Sequence, residues 1–273
     1  MEHGEQAGIE VFPSLLVLAA LLCATSVLAL RLLRGAFARL APVRESIDPR
    51  WGLPHALIVL GAYLMLIFGA AVVLSVFGVT ELGGLAALLH TFAVQGSVVA
   101  LSCAFVYALH GGLRPLGIAP DGSLRSVSFG FLLYAAAAPG LFGASIAWSM
   151  LLDKLGIDAP AQDIAEMAGR LHGAELIAFA VLATVVFPLC EEVVFRGFLQ
   201  PLLVRKLGVT GGLLATGVLF AVPHRNLSVS VPIFVLALVL GTIMQRTQRI
   251  DGSWFVHGLH NAVTLVIVVW KPH

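Results

Sequence analysis

The chain has 273 residues, of which 59% are hydrophobic and only 11% charged, and its mean hydropathy is +0.98. In soluble globular domains roughly a quarter of all residues are charged, so this composition argues against a water-soluble fold. The net charge of +1 creates no strong field for polyanions, which leaves nucleic-acid binding without support.

The first half consists of long uncharged runs. A helix needs about 20 apolar residues to cross a bilayer, and we therefore expect four spans within residues 1–173. Met1 to Glu10 has no basic segment and no small-residue cleavage site, so the first run is expected to stay as a span. The predicted spans are 11–30, 51–80, 82–113 and 126–152.

Two connections and one glycine-rich stretch stand out in this half. The glycines between Gly130 and Gly143 predict close contacts between helices. Residues 110–127 contain Pro115, Pro120 and Gly122, a pattern typical of a turn-rich surface loop. Residues 153–172 are expected to form the longest outer loop, with an acidic and amphipathic patch.

The second half, residues 174–273, is expected to form a catalytic core of four more spans. Its first run carries a glutamate pair at mid-length, and Pro188 and Pro201 are expected to kink it. The predicted fold class is therefore all-α, a polytopic transmembrane bundle of about eight spans. The four spans of this half are 174–204, 209–222, 227–245 and 252–270.

The distribution of Lys and Arg predicts the orientation of the bundle. With both termini outside, only Lys154, Arg170, Arg225 and Lys271 fall on the outer side, which leaves 12 of the 16 basic residues, Arg44 among them, in inner connections. An inner excess of basic residues is the usual membrane topology. Tryptophans at the predicted span ends, expected to be interfacial anchors, agree with it: Trp51, Trp148, Trp254 and Trp270.

The glutamate pair is the strongest functional signal. A charge inside the bilayer costs on the order of 3 kcal/mol, so two adjacent carboxylates at mid-span need a reason. Glu192 and Arg196 are four residues apart and can pair on one helix face. Glu191 points about 100° away, which leaves a carboxylate suited to act as a general base. The alternative interpretation is a packing salt bridge, for which one glutamate would suffice.

Two later spans supply imidazoles and an amide. His224 ends the short sixth span, where it could share a water with Glu191. His257 and Asn261 lie one turn apart on the last span and could stabilise an oxyanion, although a polar seam between helices would use the same residues. His260 is expected to be a supporting or packing residue.

Together these residues resemble a known family. Glu-Glu-x-x-x-Arg, Phe-x-x-x-His and His-x-x-x-Asn occur in this order on successive spans over 174–270, and this is similar to the CPBP family of CAAX-processing and bacteriocin-processing intramembrane proteases. No motif position departs from the pattern. The resemblance implies peptide-bond hydrolysis with Glu191 as water activator, Glu192 and Arg196 as companions, His224 as assistant, and His257 with Asn261 on the oxyanion side.

The resemblance leaves the cofactor open, because members have been described as glutamate proteases and as metalloproteases. No cofactor is favoured here, since the H-E-x-x-H spacing of zinc proteases is absent from the sequence. If zinc were bound, its ligands would be Glu191, His224 and His257.

The expected partners are membrane lipid and a protein or peptide substrate, and the expected location is a bacterial inner membrane. A non-enzymatic immunity scaffold or an ion-coupled transporter is the alternative. Transport would require polar residues along other spans, where only Gln95, His55 and His90 are strong candidates and form no pattern.

Overall fold

The computed structural model describes residues 2–41, 49–76, 84–157, 171–224 and 226–269, and all regular structure in these ranges is helical. Two π-helical segments, Leu182–Val186 and Val193–Leu199, connect consecutive helices without a gap. Residues 173–207 therefore form one continuous helical rod, which we call the rod. Short 3-10 turns occur at Arg114–Leu116 and Val222–His224. The α-helices are α1 (Glu2–Leu32), α2 (Arg34–Leu40), α3 (Leu53–Val76), α4 (Gly84–His110), α5 (Ser123–Lys154), α6 (Gly173–Val181), α7 (Phe187–Glu192), α8 (Gln200–Ala221), α9 (Leu227–Thr247) and α10 (Ile250–Val269).

The protein is an integral membrane protein. Five helical stretches of the described chain are long and apolar enough to cross a bilayer, and α3 adds a shorter apolar stretch, Leu53–Leu66. The all-helical class is thus confirmed, whereas eight spans with both termini outside remain a prediction. The five stretches are Pro13–Leu32, Leu89–His110, Ser123–Lys154, Gly173–His224 and Leu227–Thr247.

The predicted gap between the fifth and sixth spans corresponds to a break at one residue. Gly208 has φ 71° and ψ 172°, a non-helical backbone conformation, within α8. Such a positive φ is readily adopted only by glycine. Several residues of the topology prediction lie outside the described ranges: Arg44, Arg170, Arg225, Trp270, Lys271 and most of the outer loop, 158–170.

Glycines allow α5 to pack closely against two other helices, as the sequence predicts. A Cβ atom on Gly143 would lie 2.7 Å from the Ala19 carbonyl oxygen of α1, and one on Gly130 would lie 2.9 Å from the Gly252 carbonyl oxygen of α10. Both distances are too short for a real carbon atom. The long helix α5 therefore positions α10, which carries two candidate site residues.

Two expectations about surface position are wrong. Trp51 is not an interfacial anchor: its ring is fully buried, stacks on Phe198 with centroids 5.5 Å apart, and donates to the Phe198 carbonyl oxygen. The loop over 110–127 is not purely superficial, because Leu116 is fully buried and its carbonyl oxygen would lie 2.8 Å from a Cβ atom on Gly197. Both residues pack against the second π segment.

Gly143→Ala should lower the free energy of unfolding by about 1 to 3 kcal/mol, because the added methyl forces α1 away from α5. Thermal unfolding in detergent measures this. Gly61→Ala is the matched control, since Gly61 has nothing within 4 Å of its Cβ position, and it should leave stability unchanged or slightly higher. Equal effects of the two substitutions would contradict the close packing.

Candidate active site

The glutamate pair lies on the rod between two π-helical turns, one before it and one after it in the chain. The first π segment, Leu182–Val186, ends two residues before Pro188, and the second, Val193–Leu199, ends two residues before Pro201. Proline has no N–H and its ring clashes with the carbonyl four residues earlier, so a helix either kinks or widens there. Next to the two prolines where kinks are predicted, the chain has two widened turns, and these flank Glu191 and Glu192.

Helix α10 docks along the first π segment through three residues on one face. Trp254 donates from its indole N–H to the Val185 carbonyl oxygen at 2.8 Å, and the Asn261 amide donates to the Ala183 carbonyl oxygen at 2.9 Å. Between them, a Cβ atom on Gly258 would lie only 2.3 Å from the Thr184 carbonyl oxygen. The widened turn leaves carbonyls for α10, and this docking fixes the position of His257.

A fully buried chain of polar groups connects the rod to α10. The Glu192 Oε1 atom lies 3.1 Å from Arg196 Nη1 and 3.0 Å from His257 Nδ1. Glu192 and Arg196 are 0% exposed and His257 is 4% exposed. The pairing of Glu192 with Arg196 that the spacing predicts is therefore present, and the same carboxylate also orients an imidazole. We call Arg196, Glu192 and His257 the buried triad.

The Arg196 guanidinium has further neighbours that compensate for its burial. Its central carbon lies 4.1 Å from the centroid of the Phe220 ring, a cation–π arrangement, and Nη2 lies 3.5 Å from the Ala237 carbonyl oxygen of α9. The neighbours of this arginine thus come from three helices, α7, α8 and α9. The ion pair is not fully satisfied, because Glu192 Oε2 and Arg196 Nε each lack a hydrogen-bond partner among the described residues.

Glu191 differs from Glu192 in access and in partner. Its side chain is 23% exposed, and Oε2 lies 3.7 Å from His257 Nε2. Because the Glu192 carboxylate accepts from His257 Nδ1, this nitrogen carries the hydrogen and Nε2 faces Glu191. The imidazole therefore stands between the two carboxylates.

Glu191 lines a cavity of about 90 Å³. This space is large enough for several waters or a short piece of a ligand. The polar groups among its described lining residues are Tyr63 of α3, Gln95 of α4, Glu191 and His224, and the rest is mainly apolar, including Val98, Val194 and Phe195. No sequence motif connects Tyr63 with the site, and Gln95 stands out in the sequence only as a transport candidate.

His224 faces this cavity with one nitrogen already engaged. Nδ1 lies 2.9 Å from the Phe220 carbonyl oxygen, an acceptor only, so Nδ1 carries a hydrogen. In the neutral ring, Nε2 is then an acceptor. The Phe220 ring contacts both imidazoles, with centroids 5.3 Å from His224 and 5.6 Å from His257.

The remaining predicted site residues lie elsewhere. Asn261 faces the first π segment and does not line the described part of the cavity. His260 contacts α5, where its Nδ1 lies 3.0 Å from the Tyr134 hydroxyl. Of the predicted set, the chain thus brings Glu191 and His224 to the cavity and places Glu192, Arg196 and His257 directly behind Glu191.

The conceivable zinc ligands do not form a donor set. Glu191, His224 and His257 come from three helical elements, and in the described chain no group of three His, Cys, Asp or Glu side chains is placed to hold a metal ion. The residues therefore do not fit a zinc centre as they stand.

Comparison with known proteins finds one likeness. Residues 173–263 match the family model described as type II CAAX prenyl endopeptidase Rce1-like, which is consistent with the CPBP family. No curated protein and no solved structure gives a significant match. The matched segment includes Glu191, the buried triad, His224 and Asn261. It begins after α3 and α4, which therefore lie outside it.

Glu192→Gln should destabilise the protein by about 3 to 5 kcal/mol, because it leaves the Arg196 guanidinium buried without its countercharge. Chemical unfolding in detergent measures the loss. The matched control is the double variant Glu192→Leu with Arg196→Met, which removes both charges and should cost less than the single change. A double variant as unstable as the single one would contradict the dominance of the ion pair.

Proposed function

We propose that this membrane protein with an Rce1-like segment is an intramembrane endopeptidase, in which Glu191 and His224 activate a water to cleave a peptide bond. The family match supports a CAAX protease-type hydrolase. The observation that carries the finer proposal is that Glu191 and His224 line one small cavity while Glu191 also adjoins the buried triad.

The two acceptors match the needs of a water nucleophile. A water has two hydrogens, and the carboxylate of Glu191 and Nε2 of His224 can each accept one. The lone pair of the water then remains for the carbonyl carbon of the substrate. Glu191 removes one proton as the C–O bond forms, and the carbonyl electron pair moves to its oxygen.

Collapse of the tetrahedral intermediate requires a proton for the leaving amine. Protonated Glu191 can return the proton as the C–N bond breaks, which yields a free acid and a free amine. His257 Nε2, 3.7 Å from Glu191 Oε2, can hold or relay that proton, and Glu192 keeps the ring oriented as in other carboxylate–imidazole pairs. The buried triad is thus proposed to hold His257 in place for this exchange.

The contacts of Asn261 favour a positioning role over the oxyanion role that the resemblance implies. One N–H of its amide donates to the Ala183 carbonyl oxygen, and that bond holds α10 on the rod. We therefore assign the water chemistry to Glu191 and His224, the orientation of the site to the buried triad, and the docking of α10 to Asn261.

The proposed substrate is a membrane-associated protein or peptide. The cavity is small, mostly apolar and lined by helices that belong to membrane-spanning stretches, so a client presented within the membrane would reach it. The matched family's description points to prenylated CAAX peptides as the first class to test. A bacterial inner membrane remains the proposed location.

Glu191→Gln should reduce cleavage by about a thousand-fold, because the amide cannot accept a proton from water. A farnesylated, fluorophore-quenched CAAX peptide and a pool of membrane-derived peptides serve as probes, with products identified by mass spectrometry. Glu175→Gln, which removes a carboxylate in the first turn of α6, is the matched control and should cleave normally. Product formation at equal rates by wild type and Glu191→Gln would favour a non-enzymatic scaffold.

Prolonged treatment with a strong chelator should leave the cleavage rate unchanged, because the proposed water activation uses only protein side chains. The rate is measured on the same probes before treatment, after treatment and after addition of zinc. A rate that falls with chelation and returns with zinc would contradict the metal-free mechanism and support a rearranged Glu191, His224 and His257 centre.

A further inference from the structure

Gln95 places an unsatisfied amide oxygen at the proposed active site. The Oε1 atom is buried and has no hydrogen-bond partner among the described residues, while the side chain lines the cavity that contains Glu191 and His224. A buried polar atom without a partner costs about 1 to 3 kcal/mol. Such an atom in an apolar membrane helix therefore calls for a donor that the protein itself does not supply.

The donor cannot be the nucleophilic water of the proposed mechanism. That water has two hydrogens, and Glu191 and His224 Nε2 accept both. Gln95 Oε1 is a third acceptor, on a residue that lines the same cavity. This oxygen has almost no accessible surface, so waters do not reach it in the resting protein, and a donor binds it once the side chain turns toward the cavity.

A substrate that enters the cavity can supply the missing donor. The orphaned oxygen gains a hydrogen bond from a group that carries an N–H and gains nothing from a group without one. A lipid tail or an aliphatic side chain has no N–H to offer, whereas every peptide unit other than one at proline carries one. The amide of Gln95 also has an N–H for a carbonyl, so it complements a peptide unit in both directions.

We propose, on the basis of the proposed function, that Gln95 binds the substrate's peptide backbone beside Glu191 and His224. The site is then completed by α4, a helix outside the matched segment 173–263. The cavity wall also includes Tyr63 of α3. Helices α3 and α4 of the N-terminal half would thus both adjoin the reacting peptide. The Rce1-like segment alone would lack this anchor.

Gln95→Met tests the assignment, because methionine has similar length and no hydrogen-bonding amide. The uncleavable Glu191→Gln background allows binding of the farnesylated CAAX peptide and of the membrane-derived peptide pool to be measured without turnover. We expect about 10-fold weaker binding upon Gln95→Met and, in the active protein, a similar rise in KM with a much smaller change in kcat. Ser97→Ala is the matched control, since the Ser97 hydroxyl bonds within α4 to the Ala93 carbonyl oxygen, and it should bind normally.

A second measurement separates anchoring from a structural role. Removing an unsatisfied buried amide should leave the melting temperature unchanged or raise it, whereas loss of a structural contact would lower it. Unchanged affinity, a lowered melting temperature, or a fall in kcat at constant KM would each overturn the proposal. Failure of the proposed function has a different signature, namely equal cleavage by wild type and Glu191→Gln.

Discussion

The contact on which the site depends is the shared carboxylate of Glu192. One oxygen of this side chain meets Arg196 at 3.1 Å and His257 at 3.0 Å in a fully buried position. A buried carboxylate is costly unless positive or donating groups surround it, so the rod, α9 and α10 must pack together for the charge to be tolerated. The same contact ties the position of His257 to the integrity of the bundle.

The widened turns explain how that contact is reached. An ordinary α-helix satisfies its own carbonyls and offers few acceptors to a neighbour. In the first π segment, α10 meets three successive carbonyls through Trp254, Gly258 and Asn261. In the second, Phe198 accepts from Trp51, and the Leu116 loop packs on Gly197. Two prolines thus create the docking surfaces on either side of the glutamates.

The sequence predicts the local features of the site well because they depend on helix periodicity. The spacing of Glu192 and Arg196 predicts their pairing, and the offset of Glu191 predicts a separate role for it. Arithmetic on straight helices places Glu191 about 21 Å from Arg205 and His257 only about 9 Å from Asp251, which suggests different depths. The two side chains nevertheless lie 3.7 Å apart, so the ends of the two helices do not lie at one level.

Contacts between residues far apart in the chain could not be predicted. In each case the partner lies on another helix and leaves no local pattern in the sequence. Trp51 reads as an interfacial anchor from its place at a span end, yet its indole is buried against Phe198. Its acceptor, the Phe198 carbonyl oxygen, is 147 residues away in sequence, and no local pattern reveals it. The spacing of Asn261 to His257 likewise gives no sign that its amide donates to Ala183, and its predicted oxyanion role stays a prediction. Tyr63 and Gln95 belong to helices without any motif.

The division of the protein into a motif-bearing half and a plain apolar half therefore describes its sequence better than its chemistry. Helix α5 of the first half positions α10 through Gly130, and Trp51, just before α3, buttresses the second π segment. Gln95 brings to the cavity a polar atom that weakens the resting fold. Stability lost at one atom is a common cost of a functional site, and here it falls on a helix that the motifs would never identify. If the proposed function holds, substrate binding is the property to which the first half contributes through Gln95.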